Sequence, residues 1–161
     1  MSEFMVQQHW ILIALIFFGI MAYIVLIRRH DRNWIEKRFK GRTILAMSFG
    51  VNYFGRATEP GKPRKSSGFL LLLADELFYR SRATGRELSI PGNRIVRVYP
   101  GTAIKGIDLH QSVMKIDFLT ADGEKDSAAF RVPYPPQWIQ AIQMQLVKKG
   151  IQESSGQEID G

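Results

Sequence analysis

Two hydrophobic rhythms divide this chain. From Trp10 to Ile27, eighteen successive residues, WILIALIFFGIMAYIVLI, carry no charge. At about 1.5 Å of rise per residue they make roughly 27 Å of helix, near the thickness of a bilayer's hydrocarbon. A helix buried in a soluble domain normally keeps a polar stripe, and this run has none. The pattern predicts one transmembrane helix over residues 10–28. A short stub, 1–9, precedes it and a basic juxtamembrane segment, 29–42, follows.

Beyond Gly41 the period falls to two. Leu45, Met47, Phe49, Val51 and Tyr53 alternate with Ala46, Ser48, Gly50 and Asn52, which predicts a strand over Ile44 to Phe54 with those five side chains on its buried face. Gly55 to Gly68, GRATEPGKPRKSSG, reads as a long, mobile, basic loop. Strands are then predicted at Phe69 to Leu73, Leu77 to Arg82, Glu87 to Ile90 and Ile95 to Tyr99. Asp75-Glu76, Thr84-Gly85, Pro91-Gly92-Asn93 and Pro100-Gly101 mark the turns. Thr102 to Ser112 shows no clean period and reads as loop. Met114, Ile116 and Phe118 predict a sixth strand, Asp122-Gly123 a hairpin turn, and Ala128, Phe130 and Val132 a seventh strand.

The last element changes period again. Pro135-Pro136 suits the first turn of a helix, where a missing N–H is harmless. Trp138, Ile139, Ile142, Leu146 and Val147 then recur at helical spacing, and Lys148, Lys149 and Gly150 form a stop signal. The polar remainder, 150–161, is expected to be disordered. The domain therefore covers 43–149. The fold class is a transmembrane helix followed by a mostly-β α+β domain of about seven antiparallel strands and one closing helix.

Charge gives the span a direction. The net charge is +7, and none of the 22 Lys and Arg residues precedes the span. Seven fall between Arg28 and Arg42, against only Asp31 and Glu36. Basic flanks stay on the cytoplasmic side, so the N-terminus is expected outside and the domain in the cytoplasm, at a plasma or inner membrane. A cleaved signal peptide would need a basic start and a small-residue cleavage site, and neither is present. Trp10, Arg28, Arg29, Arg32, Trp34, Lys37 and Arg38 are the expected membrane-interface residues. Aromatics suit the headgroup layer, and each nearby cation gains about 1 kcal/mol from anionic lipid. The bilayer is thus the first expected partner.

Chemistry is sparse. With no cysteine, a disulfide framework, a thiolate zinc site and a cysteine nucleophile are excluded. His9, His30 and His110 have no metal-ligand spacing, and no GxSxG or GxxxxGK[ST] motif occurs. Asp108, Asp117, Asp122 and Asp126 read as solvated surface groups. No catalytic residue, metal or cofactor is expected, and the protein reads as a non-enzyme. The aromatics interleave with apolar strand residues rather than cations, which speaks against a nucleic-acid partner.

The order of seven short strands and one amphipathic helix resembles the pleckstrin-homology-like superfold, its GRAM and bacterial PH-like branches in particular. The most similar stretch is GFLLLLADELFYRSRATGRELSIPGNRIVRVYPG, Gly68 to Gly101. Trp138 is similar to the tryptophan that many PH domains carry in their closing helix. The resemblance spans roughly 43–149 and implies a half-open barrel capped by that helix. In PH domains that bind inositol phosphates the first loop contributes cations, which would here be Lys62, Arg64 and Lys65, with Arg80 and Arg82 on a nearby hairpin. The second strand, Phe-Leu-Leu-Leu-Leu, lacks the further cations that lipid-binding members place there. The expected function is accordingly a membrane-anchored adaptor or scaffold whose domain binds a protein partner. The alternative is a sensor of anionic lipid headgroups or a phosphorylated ligand using the basic 56–65 loop.

Overall fold

A computed structural model describes residues 2–147, with side chains from residue 8 onward. The stop signal at 148–150 and the polar tail lie outside the described residues. The chain divides into two compact units between Arg42 and Thr43.

The first unit is one α-helix, α1, Ser2–Arg38, 37 residues and about 55 Å long. The expected stub belongs to the same helix, which runs on through Arg28 without a break. Lys37 and Arg38 occupy its last turn, where cations complement the negative end of the helix dipole. The chain leaves it through Gly41 at φ 81°, a conformation open to glycine. The helix has the length and apolar composition that a membrane span requires.

The second unit is one open, fully antiparallel sheet of seven strands and a closing helix. The strands are β1 Ile44–Arg56, β2 Ser66–Leu73, β3 Glu76–Ser81, β4 Glu87–Pro91, β5 Ile95–Ile104, β6 Ile107–Leu119 and β7 Lys125–Arg131. A 3₁₀ turn, Gly92–Arg94, links β4 to β5. The closing helix, α2, is Pro135–Ile142 and continues as a π-turn, Gln143–Val147. The sheet order is β4-β3-β2-β1-β7-β6-β5, so β1 joins two successive meanders.

β1 departs from the expected alternation. Against β2, Ser48 faces Leu70 and Val51 faces Gly68, so β1 takes three steps where β2 takes two. Similar shifts on β1 fall between Ile44 and Ala46 against β2, and between Tyr53 and Arg56 against β7. Each is a bulge that inserts one residue and bends the strand. The bulge at Phe49-Gly50 exchanges the faces of the strand. Val51 and Tyr53 point into the core as expected, but Leu45 and Met47 are 42% and 41% exposed, and Ala46 packs against the core instead. A strict period of two holds only while the ladder is regular.

The stretch 102–112, expected as loop, is the far end of a long hairpin. β5 runs to Ile104, and Lys105-Gly106 turn the chain directly into β6. Asp108 faces Ala103 while Val113 faces Gly101, so β6 takes five steps against two on β5. His110, at φ 54°, lies in that excess and breaks the period.

The main core forms on one face of the sheet. Leu70, Leu72, Met114, Ile116, Ala128 and Phe130 meet Trp138, Ile142 and Leu146 of the closing element. Successive i, i+4 contacts drift about 40° around an α-helix. Widening the last turn to π geometry takes back part of that drift and keeps Leu146 on the buried side. Trp138 joins this core as the largest apolar side chain of the helix. A smaller cluster, Phe54, Ile104, Val113 and Ala129, forms at the β5–β6 hairpin.

Gly68 of β2 stands between Val51 of β1 and Ser81 of β3. A Cβ there would stand 2.0 Å from the Arg80 carbonyl oxygen, and the obstacle is backbone rather than a movable side chain. Gly50, at the bulge, has open space around it. Denaturant unfolding of the full-length chain should therefore show Gly68→Ala losing about 2 kcal/mol or more, with Gly50→Ala within about 0.5 kcal/mol of the wild type.

Candidate functional site

The expected cations gather at one end of the sheet. The first residues of β2 lie beside the last of β3: Gly68 faces Ser81, and the Arg82 amide donates to the Ser67 carbonyl at 3.0 Å. The β1–β2 loop, 57–65, and the β3–β4 turn, 82–86, therefore share an end. Lys62, Arg64 and Lys65 are exposed there. Arg80 faces Glu87 across the β3–β4 ladder, with Nε 3.7 Å from Oε1. The Arg82 guanidinium donates to the Phe49 carbonyl at the β1 bulge. Two of the five residues thus brace the sheet, and three stand at its surface.

The loop expected to be mobile is tied at several points. The Asp126 side chain is fully buried. It accepts from the Thr58 hydroxyl at 2.7 Å, the Thr58 amide at 3.2 Å and its neighbour Ser127's amide at 2.8 Å. Arg56 Nη1 lies 3.7 Å from it. The Ala57 amide donates to the Ser127 carbonyl at 2.8 Å, extending the β1–β7 contact into the loop. Glu59 accepts from the Tyr53 hydroxyl at 3.2 Å and from Arg56 Nε at 3.5 Å. From the β5–β6 turn, Lys105 Nζ donates to the carbonyls of Glu59 and Gly61, the latter at 3.1 Å.

Two phenols line the core behind this network. The Tyr53 and Tyr79 rings lie 4.9 Å apart, tilted by 41°, and both approach Phe130. Burial, then the Glu59 carboxylate, push the Tyr53 phenol far above its ordinary range. Burial also raises Tyr79, whose hydroxyl donates to the Ser66 carbonyl at 2.9 Å. Both hydroxyls therefore act as fixed donors.

Asp117 is likewise not a free surface group. Arg97 Nη2 donates to it at 2.9 Å, Tyr99 at 3.2 Å and the Ser127 hydroxyl at 2.5 Å. Burial acts to raise its pKa, but the hydrogen bonds from Ser127, Arg97 and Tyr99 outweigh it and hold the carboxyl below its usual range. The Arg97 guanidinium also lies 4.0 Å over the Tyr99 ring. Asp117 and Asp126 thus depart from the solvated reading because donors distant in sequence converge on them: Arg97 and Tyr99 of β5 on Asp117, Thr58 of the β1–β2 loop on Asp126, and Ser127 of β7 on both. Among the described residues, no three His, Asp or Glu side chains are grouped to hold a metal ion.

Among the described residues β5 is an edge strand, bonded to β6 alone. The closing helix lies along it, and Gln143 Nε2 donates to the Val98 carbonyl at 3.1 Å. Val96 on the strand and Met144 on the π-turn are 56% and 51% exposed, and Pro100 further along the strand has no N–H. The opposite edge, β4, is five residues long and ends in Pro91.

The expected interface residues all lie on α1. Trp10, Arg28, Arg29, Arg32, Lys37 and Arg38 are exposed, and Trp34 is half-buried. The Trp34 ring meets Phe39 edge-on at 6.2 Å, and the Arg38 and Arg42 guanidinium groups lie 5.9 and 5.5 Å from the Phe39 ring.

No family model matches the chain, and no curated protein does. Solved structures do match it. One is the crystal structure of the C-terminal domain of an unknown protein from Leishmania infantum, 14% identical, covering 77% of this chain and 98% of that one with a TM-score of 0.48.

Sequence reasoning missed Thr58, Glu59, Lys105 and Asp126. Thr58 and Asp126 are 68 residues apart, and no local pattern links them. Removing the buried carboxylate strands Arg56 and the Thr58 donors. Asp126→Ala is expected to cost about 2–3 kcal/mol in denaturant unfolding. Asp126→Asn should cost less, because its amide oxygen can still accept from Thr58.

Proposed function

We propose that this protein is a membrane-held, non-enzymatic adaptor. In this reading α1 is a single-pass anchor with its N-terminus outside. The sheet unit is a pleckstrin-homology-like domain in the cytoplasm, where it binds a protein partner. The strand order and the closing helix with its buried Trp138 support the domain reading. The absence of Lys and Arg before the span, and the seven that follow by Arg42, support the orientation.

The observation that carries the partner reading is the outer edge of β5. A partner segment in extended form adds to a sheet edge through main-chain hydrogen bonds and gains specificity from side-chain contacts. Val96 and Met144 offer apolar contact on two elements that pack together, strand and π-turn. The alternative, a sensor of anionic lipid or a phosphorylated ligand, draws on exposed Lys62, Arg64 and Lys65.

A photoreactive phenylalanine analogue placed singly at Val96, Met144 or Lys62 of the full-length protein in its native membrane separates the two. Protein adducts are expected from the first two positions and not from the third. Lipid adducts at position 62, with no protein adduct at 96 or 144, would overturn the adaptor reading. The anchor has its own test, made simple by the lack of cysteine. A membrane-impermeant maleimide applied to intact cells should label Ser2→Cys and leave Thr84→Cys unlabelled. Labelling at Thr84→Cys alone would reverse the orientation.

A further inference from the structure

We propose that Lys105 is a latch that fastens the cationic part of the β1–β2 loop to the tip of the β5–β6 hairpin. The first observation is a residue in the wrong place for its type. Lys105 and Gly106 form a two-residue hairpin turn with φ of 55° and 71°. Positive φ at both central positions favours Asn-Gly, Asp-Gly or Gly-Gly, since Asn and Asp tolerate the left-handed region and glycine has no Cβ. Lysine has no such local compensation and is disfavoured there. A strained residue of this kind points to a role for its side chain.

The second observation supplies the role. The Lys105 ammonium donates to the carbonyls of both Glu59 and Gly61. Hydrogen bonds from a charged donor are roughly twice as strong as neutral ones. The hairpin is built to deliver this group. The excess residues of β6, with His110 at φ 54°, bend its end, and Ile104 packs into the cluster of Phe54, Val113 and Ala129. Ile104 anchors the base of the turn, and Lys105 reaches the loop from it.

The two ties on the loop divide it. The Thr58–Asp126 bonds hold its start, and Lys105 holds its middle, just before Lys62, Arg64 and Lys65. Losing Lys105 therefore frees the cationic part while the start stays fixed. The hairpin tip and the loop open together, so anything that pulls on one is felt by the other. This coupling does not depend on what the protein binds.

Limited trypsin digestion of the full-length chain, with cut sites assigned by mass spectrometry, tests it. Cleavage after Arg64 and Lys65 requires the loop to open, whereas Lys62 precedes Pro63 and resists. Loss of one charge-assisted bond pair predicts that Lys105→Met speeds those two cuts about tenfold. Lys105→Arg, which keeps charged donors, should stay near the wild type, as should Lys115→Met. Lys105→Asn is diagnostic, because it creates a favoured Asn-Gly turn. It should hold or raise the thermal midpoint and still speed cleavage after Arg64 and Lys65. Unchanged cleavage in both Lys105→Met and Lys105→Asn would overturn the latch. So would an equal rise at Arg86 in the β3–β4 turn, which would mean general unfolding.

Discussion

The sheet unit depends on β1 being one strand of two meanders. It bonds β2 on one side and β7 on the other, antiparallel to both, and it bends between them. Three inserted residues, all on β1, supply the bend. Much of the polar architecture follows from them. The bulge at Phe49-Gly50 presents a carbonyl that Arg82 takes up. The irregularity before Arg56 turns its guanidinium toward Asp126 and Glu59. The resulting curvature lets one face enclose Tyr53, Tyr79 and Phe130 together.

The buried polar groups follow from that curvature too. A carboxylate without partners is costly to bury, and Asp126 is tolerable because Thr58 supplies two donors and Ser127 a third. The loop is thus shaped by the need to satisfy a charge inside the domain. Its cations Lys62, Arg64 and Lys65 then lie at the surface, while Glu59, the acid of the same loop, is turned onto Tyr53 and Arg56.

What was legible in the sequence tracks the range of the interaction responsible. The long apolar helix, the seven strands and the closing helix are written in local periods, and the structure has them all. Asp122-Gly123 marks its turn, with Gly123 at φ 82°. The alternation puts Leu45 and Met47 on the buried face, whereas the structure exposes them, because a bulge leaves composition unchanged while reversing the faces. The end of the β5–β6 hairpin was hidden because Lys105-Gly106 lacks the usual turn chemistry and His110 disrupts the alternation. Asp126 reads as a surface residue because its partner Thr58 is reached only through the pairing of β1 with β7. Arg80 and Arg82 look like candidate ligand groups for the same reason: Glu87 and the Phe49 carbonyl meet them only in the folded sheet.

An open sheet has two unpaired borders, and both are guarded. β4 is short and closed by Pro91, while β5 carries Pro100 and has its Val98 carbonyl occupied by Gln143. Such borders are poor templates for a stray strand, including one from an unfolded copy of the same chain. The guard also sets a threshold for recognition. A segment that pairs with β5 at Val98 must first win that carbonyl from Gln143, so it must bring enough side-chain fit to outcompete a contact already made. Resistance to self-aggregation and selectivity toward a true ligand would then share one glutamine.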